Sequence, residues 1–157
     1  MALLAAHPSR FGRGAQLHAS PSVPHPLDLP VSPVNPSVLV IDDNMDTADS
    51  LARFFRVGVG FDVRVAYDGS AGLRLATERA PDAVVCDIAM PRLSGLGVAS
   101  ALCRMAPRPV LIAITAFTGD YTEATARAAG FDFYLAKPAD PFAIETLIRD
   151  RTRPPAA

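Results

Sequence analysis

The sequence predicts an α/β protein: a doubly wound, five-stranded parallel sheet with helices on both faces. Five short apolar runs are spaced between Ser37 and Lys137, and each is followed by a stretch of helical periodicity. Three of the runs are apolar almost throughout, as strands covered on both faces must be.

The first run, "SVLVID", ends on two adjacent carboxylates, Asp42 and Asp43. After it, Ala48, Leu51, Ala52 and Phe55 fall at i, i+3, i+4 and i+7, the apolar stripe of a first helix that Gly58 and Gly60 are expected to close. The second run, "DVRVAY", alternates apolar with polar residues and so belongs nearer a sheet edge. A second helix is expected to begin after "DGS". The third run is "DAVVCDI", with a helix through "GVASALCRM"; the fourth is "PVLIAIT", with a helix through "TEATARAAG". The fifth, "FDFYLAK", leads into "ADPFAIETLIRDR", where Asp140 is placed to cap a last helix that has Pro141 at its first position. Phe142, Ile144, Leu147 and Ile148 are expected to form the buried side of that helix. The pattern is thus (βα) repeated five times over residues 37–151.

The flanks read differently. Residues 1–36 hold seven of the 15 prolines, all three histidines (His7, His18, His25), two arginines and one acid, Asp28, without periodicity, and are expected to form a disordered Pro-rich extension. Residues 152–157 are expected to make a short flexible tail. Over the 157 residues, 50% are hydrophobic and 20% charged, the composition of a soluble globular domain. A formal charge of -1 argues against direct nucleic-acid binding by bulk charge. No apolar run approaches the ~20 residues that span a bilayer, so no membrane insertion is expected and the protein reads as cytoplasmic. Cys86 and Cys103 lack metal-type spacing and fit small apolar side chains in a reducing compartment.

Doubly wound sheets gather their working residues at the carboxyl ends of the strands, where loops open into a crevice. In this sequence those ends carry Asp42 and Asp43, Asp87, Thr115 and Lys137. Each has an ordinary explanation alone: a helix-start acid, a loop acid, a strand-end hydroxyl, a solvated charge. Their convergence on one rim does not. Two carboxylates ~4 Å apart repel by several kcal/mol at an effective dielectric of ~20, and a third makes the site unstable unless a cation joins it. Mg²⁺, or Mn²⁺ in its place, suits such oxygen ligands and retains room for phosphate oxygens. A carboxylate is also a nucleophile toward phosphorus, and the transfer then needs chiefly charge cover and alignment.

In their order, "VLVIDDN", "VVCDIAMPRLSG", "IAITAF" and "FDFYLAKP" make the chain from about Ser37 to Arg151 resemble a response-regulator receiver domain, the phospho-acceptor module of two-component signalling. The resemblance implies a flavodoxin-like fold with strand order 2-1-3-4-5. It implies Asp87 as the phospho-acceptor, and Asp42, Asp43, Asp87 and the backbone carbonyl of Ala89 as ligands of the metal. It further implies that Thr115 and Lys137 contact the phosphoryl oxygens and that Tyr134 is the aromatic switch that follows Thr115. The donor would be a histidine kinase or a His-phosphotransfer protein. A downstream protein would read the face of helix four, strand five and helix five.

The motif departs from the family pattern two residues beyond the acceptor and two beyond Thr115. Ala89 has no side chain able to orient an attacking water and Phe117 is bulky and apolar, so slow self-dephosphorylation is expected. Ser94 replaces a frequent aspartate and is read as neutral. No output domain follows the last helix, so a single-domain regulator or relay intermediate is expected, assisting its own phosphorylation rather than acting as an enzyme. Two alternatives remain open: a pseudo-receiver that binds partners without phosphorylation, and a Mg-dependent phosphatase with an Asp nucleophile. The phosphatase pattern D-x-D-x-[TV] is not met by "DDNMDT".

Overall fold

The computed structural model describes residues 35–116, 119 and 121–152. The extension before Asn35, the residue Phe117 and the tail after Thr152 lie outside the described residues. Five parallel strands, β1 (Ser37–Ile41), β2 (Asp62–Ala66), β3 (Ala83–Asp87), β4 (Val110–Thr115) and β5 (Phe133–Ala136), form one sheet in the order β2-β1-β3-β4-β5. The chain alternates these with α1 (Met45–Arg53), α2 (Gly69–Glu78), α3 (Gly95–Leu102), α4 (Glu123–Ala129) and α5 (Pro141–Thr152). No helix among the described residues is long and apolar enough to cross a membrane.

The apolar runs are continuous because successive residues of a central strand face two different cores. Leu39, Ile41, Val84, Cys86, Leu111 and Ala113 pack on Ala76, Val98, Ala99, Leu102 and Ala126 from α2, α3 and α4. Their strand neighbours Val38, Val40, Val85, Ile112 and Ile114 pack on Ala48, Leu51, Ala52, Phe55, Ile144 and Ile148 on the α1 and α5 side. Burying one such Leu, Ile or Val fully is worth about 1.5–3 kcal/mol relative to leaving it exposed. The alternating run of β2 lies at the sheet edge as its pattern requires. Because β1 sits between β2 and β3, the connection after β1 runs one way and the next crosses back over it. The switch point therefore lies between the ends of β1 and β3.

Three local expectations are corrected. Gly58 does not close the first helix: α1 passes at Phe54 into a π-helical turn, Phe54–Val59, which Gly60 ends in the left-handed conformation (φ 84°) with its N–H on the Phe55 carbonyl. The wider turn keeps Phe55 in the core, leaves Val57 exposed and brings Phe61 in beside Phe55. The second helix starts within "DGS", at Gly69, because the Asp68 carboxylate accepts from the Ala71 N–H and caps it. Phe142 is not on the buried side of α5. It is 65% exposed, since it precedes Ile144 by two residues, or about 200° of helix, and its ring meets Phe54 edge to face at 4.9 Å instead. Ile144 and Ile148 are fully buried and Leu147 is half-buried, as the spacing predicts.

Candidate functional site

The carboxyl ends of β1, β3, β4 and β5 bring Asp42, Asp87, Thr115 and Lys137 to one rim. Parallel pairing in register aligns Ile41 with Cys86, Asp87 with Ile114 and Thr115 with Ala136, so the next residues along end level. Asp42 and Asp87 are buried, at 1% and 6% exposure, and Asp43 is open to solvent. Carboxylate oxygens of Asp42, Asp43 and Asp87 lie within 4.8 Å of one another.

The buried carboxylates are held from both sides. Lys137 Nζ donates to Asp42 Oδ2 at 2.8 Å and to Asp87 Oδ2 at 3.1 Å. The other oxygens take backbone donors: Asn44 N–H reaches Asp42 Oδ1 at 2.9 Å and Ala89 N–H reaches Asp87 Oδ1 at 3.2 Å. Burial pushes the Lys137 ammonium toward its neutral form, but hydrogen bonds to Asp42 and Asp87 and their charges outweigh it, leaving the pKa above its ordinary value. Burial, with Asp87 and Asp42 nearby, drives the Cys86 thiol far up, so this neighbour of Asp87 is no nucleophile.

Thr115 is fully buried, yet its hydroxyl donates to the Ala116 carbonyl at 3.3 Å rather than to Asp87. Tyr134 is half-buried and its hydroxyl donates to the Tyr121 carbonyl at 2.8 Å, tying β5 to the segment before α4. Ala89 is exposed on the loop after β3. The structure thus brings Asp42, Asp43, Asp87 and Lys137 into one cluster, with Thr115 on the same rim and both Thr115 and Tyr134 bonded elsewhere.

Two contributors escape motif reading. Asn44 caps α1 by accepting from the Thr47 N–H while its own N–H holds Asp42, so one residue fixes both the helix start and a site carboxylate. An N-cap amide ahead of a helical stripe is the signal that marks it. Gly95 opens α3 directly against the end of β3: a Cβ there would collide with the Asp87 carbonyl oxygen and stand 2.8 Å from Ile88 Cα. Only a residue without a side chain allows that approach.

Three carboxylates against one ammonium leave the cluster two charges negative. A hard dication offsets that charge and uses the oxygen-only donor set, so the residues fit Mg²⁺. The fold and the cluster together define a doubly wound α/β module with an acid-lined switch-point crevice. The model of the response regulator receiver domain matches residues 38–149, and the chain belongs to that family. Receiver domains are signalling modules of two-component systems, phosphorylated by kinases and generally bound to Mg²⁺ through acidic residues.

The chain is 42% identical to the transcriptional regulatory protein PrrA of Mycobacterium tuberculosis over 104 residues, which are 66% of this chain and 44% of that protein. It is 37% identical to the response regulator MprA of Mycobacterium sp. over 111 residues, 71% of this chain and 46% of that one. The chain therefore spans less than half the length of these relatives. Among solved structures, the Francisella response regulator 1452 receiver domain superposes with a TM-score of 0.69 at 28% identity, covering 76% of this chain and 98% of that one. A Burkholderia pseudomallei response regulator, solved with a phosphorylated aspartic acid, calcium ion and citrate, superposes at 0.67 with 30% identity over 75% of this chain and 69% of that one.

Proposed function

We propose that this chain is a phosphorylation switch in which Asp87 accepts a phosphoryl group from a phosphohistidine of a histidine kinase or His-phosphotransfer protein. The observation that carries the proposal is the double pairing of Lys137 with Asp42 and Asp87 inside a triad of carboxylates. Such an arrangement is costly in a purely structural role and suits a site that receives cationic and anionic ligands together.

An Asp87 oxygen attacks the phosphorus; the new O–P bond forms as the P–N bond breaks, and the imidazole nitrogen of the donor keeps the electron pair. Asp42, Asp43, Asp87 and the Ala89 carbonyl would hold Mg²⁺, which supplies charge cover for the transferring phosphoryl oxygens. Lys137, already within 3.1 Å of Asp87 Oδ2, carries the positive charge that pairs with one phosphoryl oxygen. Thr115 turns its hydroxyl from the Ala116 carbonyl toward a second. Ala89 orients no water, so the aspartyl phosphate persists for minutes rather than seconds.

The test is to treat the full chain with acetyl phosphate and Mg²⁺, follow the intact mass, and then remove the donor and record the decay. One phosphoryl group is expected on the wild type, lost over minutes, and none on Asp87→Asn. An unlabelled wild type, or a labelled Asp87→Asn variant, would refute the assignment and favour a phosphorylation-independent binding module.

A further inference from the structure

The loop between β3 and α3, residues 88–94, follows Asp87 directly and closes on itself: the N–H groups of Met90 and Gly95 both donate to the Ile88 carbonyl at 3.0 Å. Ile88 and Met90 are buried, while Ala89, Pro91 and Arg92 are exposed. Arg92 has φ 66°, and among the described residues it is the one non-glycine residue in the left-handed region. Glycine or asparagine takes that conformation at little cost; arginine does not. A strained residue on the loop that leaves β3 at Asp87 points to a use for its side chain.

The charges around the loop define that use. The segments that join the carboxyl end of each strand to the next helix hold two cations, Lys137 and Arg92. Lys137 is already committed to Asp42 and Asp87, at 2.8 and 3.1 Å. Arg92 has no ion-pair partner among the described residues. The acids at the same strand ends include Asp42, Asp43, Asp68, Asp87 and Asp140, so even with a dication in the cluster they outnumber the cationic charge. A phosphoryl donor is itself an anion and must approach this acidic rim. Arg92 is the cation there that no carboxylate already holds.

We propose that Arg92 is a donor-recognition residue: its guanidinium meets the anionic phosphoryl group of an incoming small donor at the rim, ahead of transfer to Asp87. The inference rests on Asp87 as the acceptor. A guanidinium stays charged at any working pH and its planar fork matches phosphate oxygens. From an exposed loop it acts chiefly by attraction through solvent, which salt screens.

The test gives the full chain, with saturating Mg²⁺, either acetyl phosphate or phosphoramidate, which carries a P–N bond like that of a phosphohistidine, and times the labelling by intact mass. At low salt Arg92→Asn, which tolerates the left-handed backbone, should take label from acetyl phosphate about threefold more slowly than wild type, the range of an exposed ion pair. Arg92→Glu should be roughly tenfold slower than wild type. Both differences should fade at about 0.5 M KCl, where charges are screened beyond roughly 4 Å. They should be smaller with phosphoramidate, the less charged donor. Arg92→Lys keeps the charge and should stay near the wild-type rate. Arg92→Gly should match Arg92→Asn in rate while melting no lower than wild type, which separates charge from backbone. Equal rates in wild type, Arg92→Asn and Arg92→Glu, a slowing that survives high salt, or an Arg92→Lys as slow as Arg92→Asn would each overturn the proposal while leaving Asp87 as the acceptor. A wild type labelled by neither donor would overturn the acceptor reading and this inference with it.

Discussion

At the scale of single residues, the site is a compromise between charge and fold. Asp43 is the exposed member of a triad whose oxygens lie within 4.8 Å of one another, and nothing in its own environment repays that crowding. In metal-free buffer Asp43→Asn should therefore raise stability by about 1 kcal/mol, or ~4 °C in Tm, because one like charge is gone. The same variant should lose most of the gain in Tm that Mg²⁺ gives the wild type, since ligand stabilisation scales with affinity. Thermal melts with and without Mg²⁺ check both; an Asp43→Asn protein less stable than wild type without metal contradicts the account. Lys137 works in the opposite sense. Its pKa lies above the ordinary 10.5 in the folded state, so its stabilising contribution is complete below pH ~10.5 and is lost as pH climbs through the raised value. Lys137→Met should cost about 1–2 kcal/mol, discounted because the lysine is 26% exposed, and the gap to wild type should hold from pH 7 to 9 and close only in stronger alkali. Denaturant titrations across that range read it directly.

At the scale of elements, what the sequence reveals depends on whether backbone or side-chain reach sets the feature. Strands β1, β3 and β4 are legible because two opposed cores demand unbroken apolar runs, and the strand ends then place Asp42, Asp87 and Thr115 without further information. The π-turn after α1 is not legible: Ala48, Leu51, Ala52 and Phe55 fit an α-helical stripe, and the widening begins at Phe54, just before its last member. Phe142 misleads because hydrophobicity does not say which side of a helix a residue takes when Ile144 and Ile148 already define the buried stripe. Likewise, the bond of Thr115 to Ala116, the tie of Tyr134 to Tyr121 and the second partner of Lys137 depend on rotamers that no spacing encodes. The contact of α2 with β1 is a further case: a Cβ on Gly72 would stand 2.5 Å from Ile41 Cδ1, one residue before the site acid Asp42. Gly72→Ala should gain helix propensity yet lose about 1–3 kcal/mol net to overpacking, measurable by urea unfolding, and a stabilised variant would mean α2 can lift off the sheet freely.

At the scale of the whole molecule, the question is how charge added at one rim reaches a distant face. Thr115 ends β4, the strand between β3 and β5, and Tyr134 lies on β5 with its hydroxyl on the Tyr121 carbonyl ahead of α4. A phosphoryl group at Asp87 adds close to two negative charges and several acceptor oxygens. The Thr115 hydroxyl, whose present bond to Ala116 is long at 3.3 Å, is the neutral donor positioned to answer. Under the proposed function, its movement would alter the packing around the end of β4 and so bias α4, β5 and α5 between two arrangements. Thr115→Val keeps the volume of the side chain and removes the donor. This variant should still be labelled at Asp87, since the carboxylates and Lys137 are intact, but hydrogen exchange at α4 and β5 should no longer change on labelling as it does in the wild type. Full transmission in Thr115→Val would show that the signal leaves the site by another route, through Lys137 and the α5 end of the sheet.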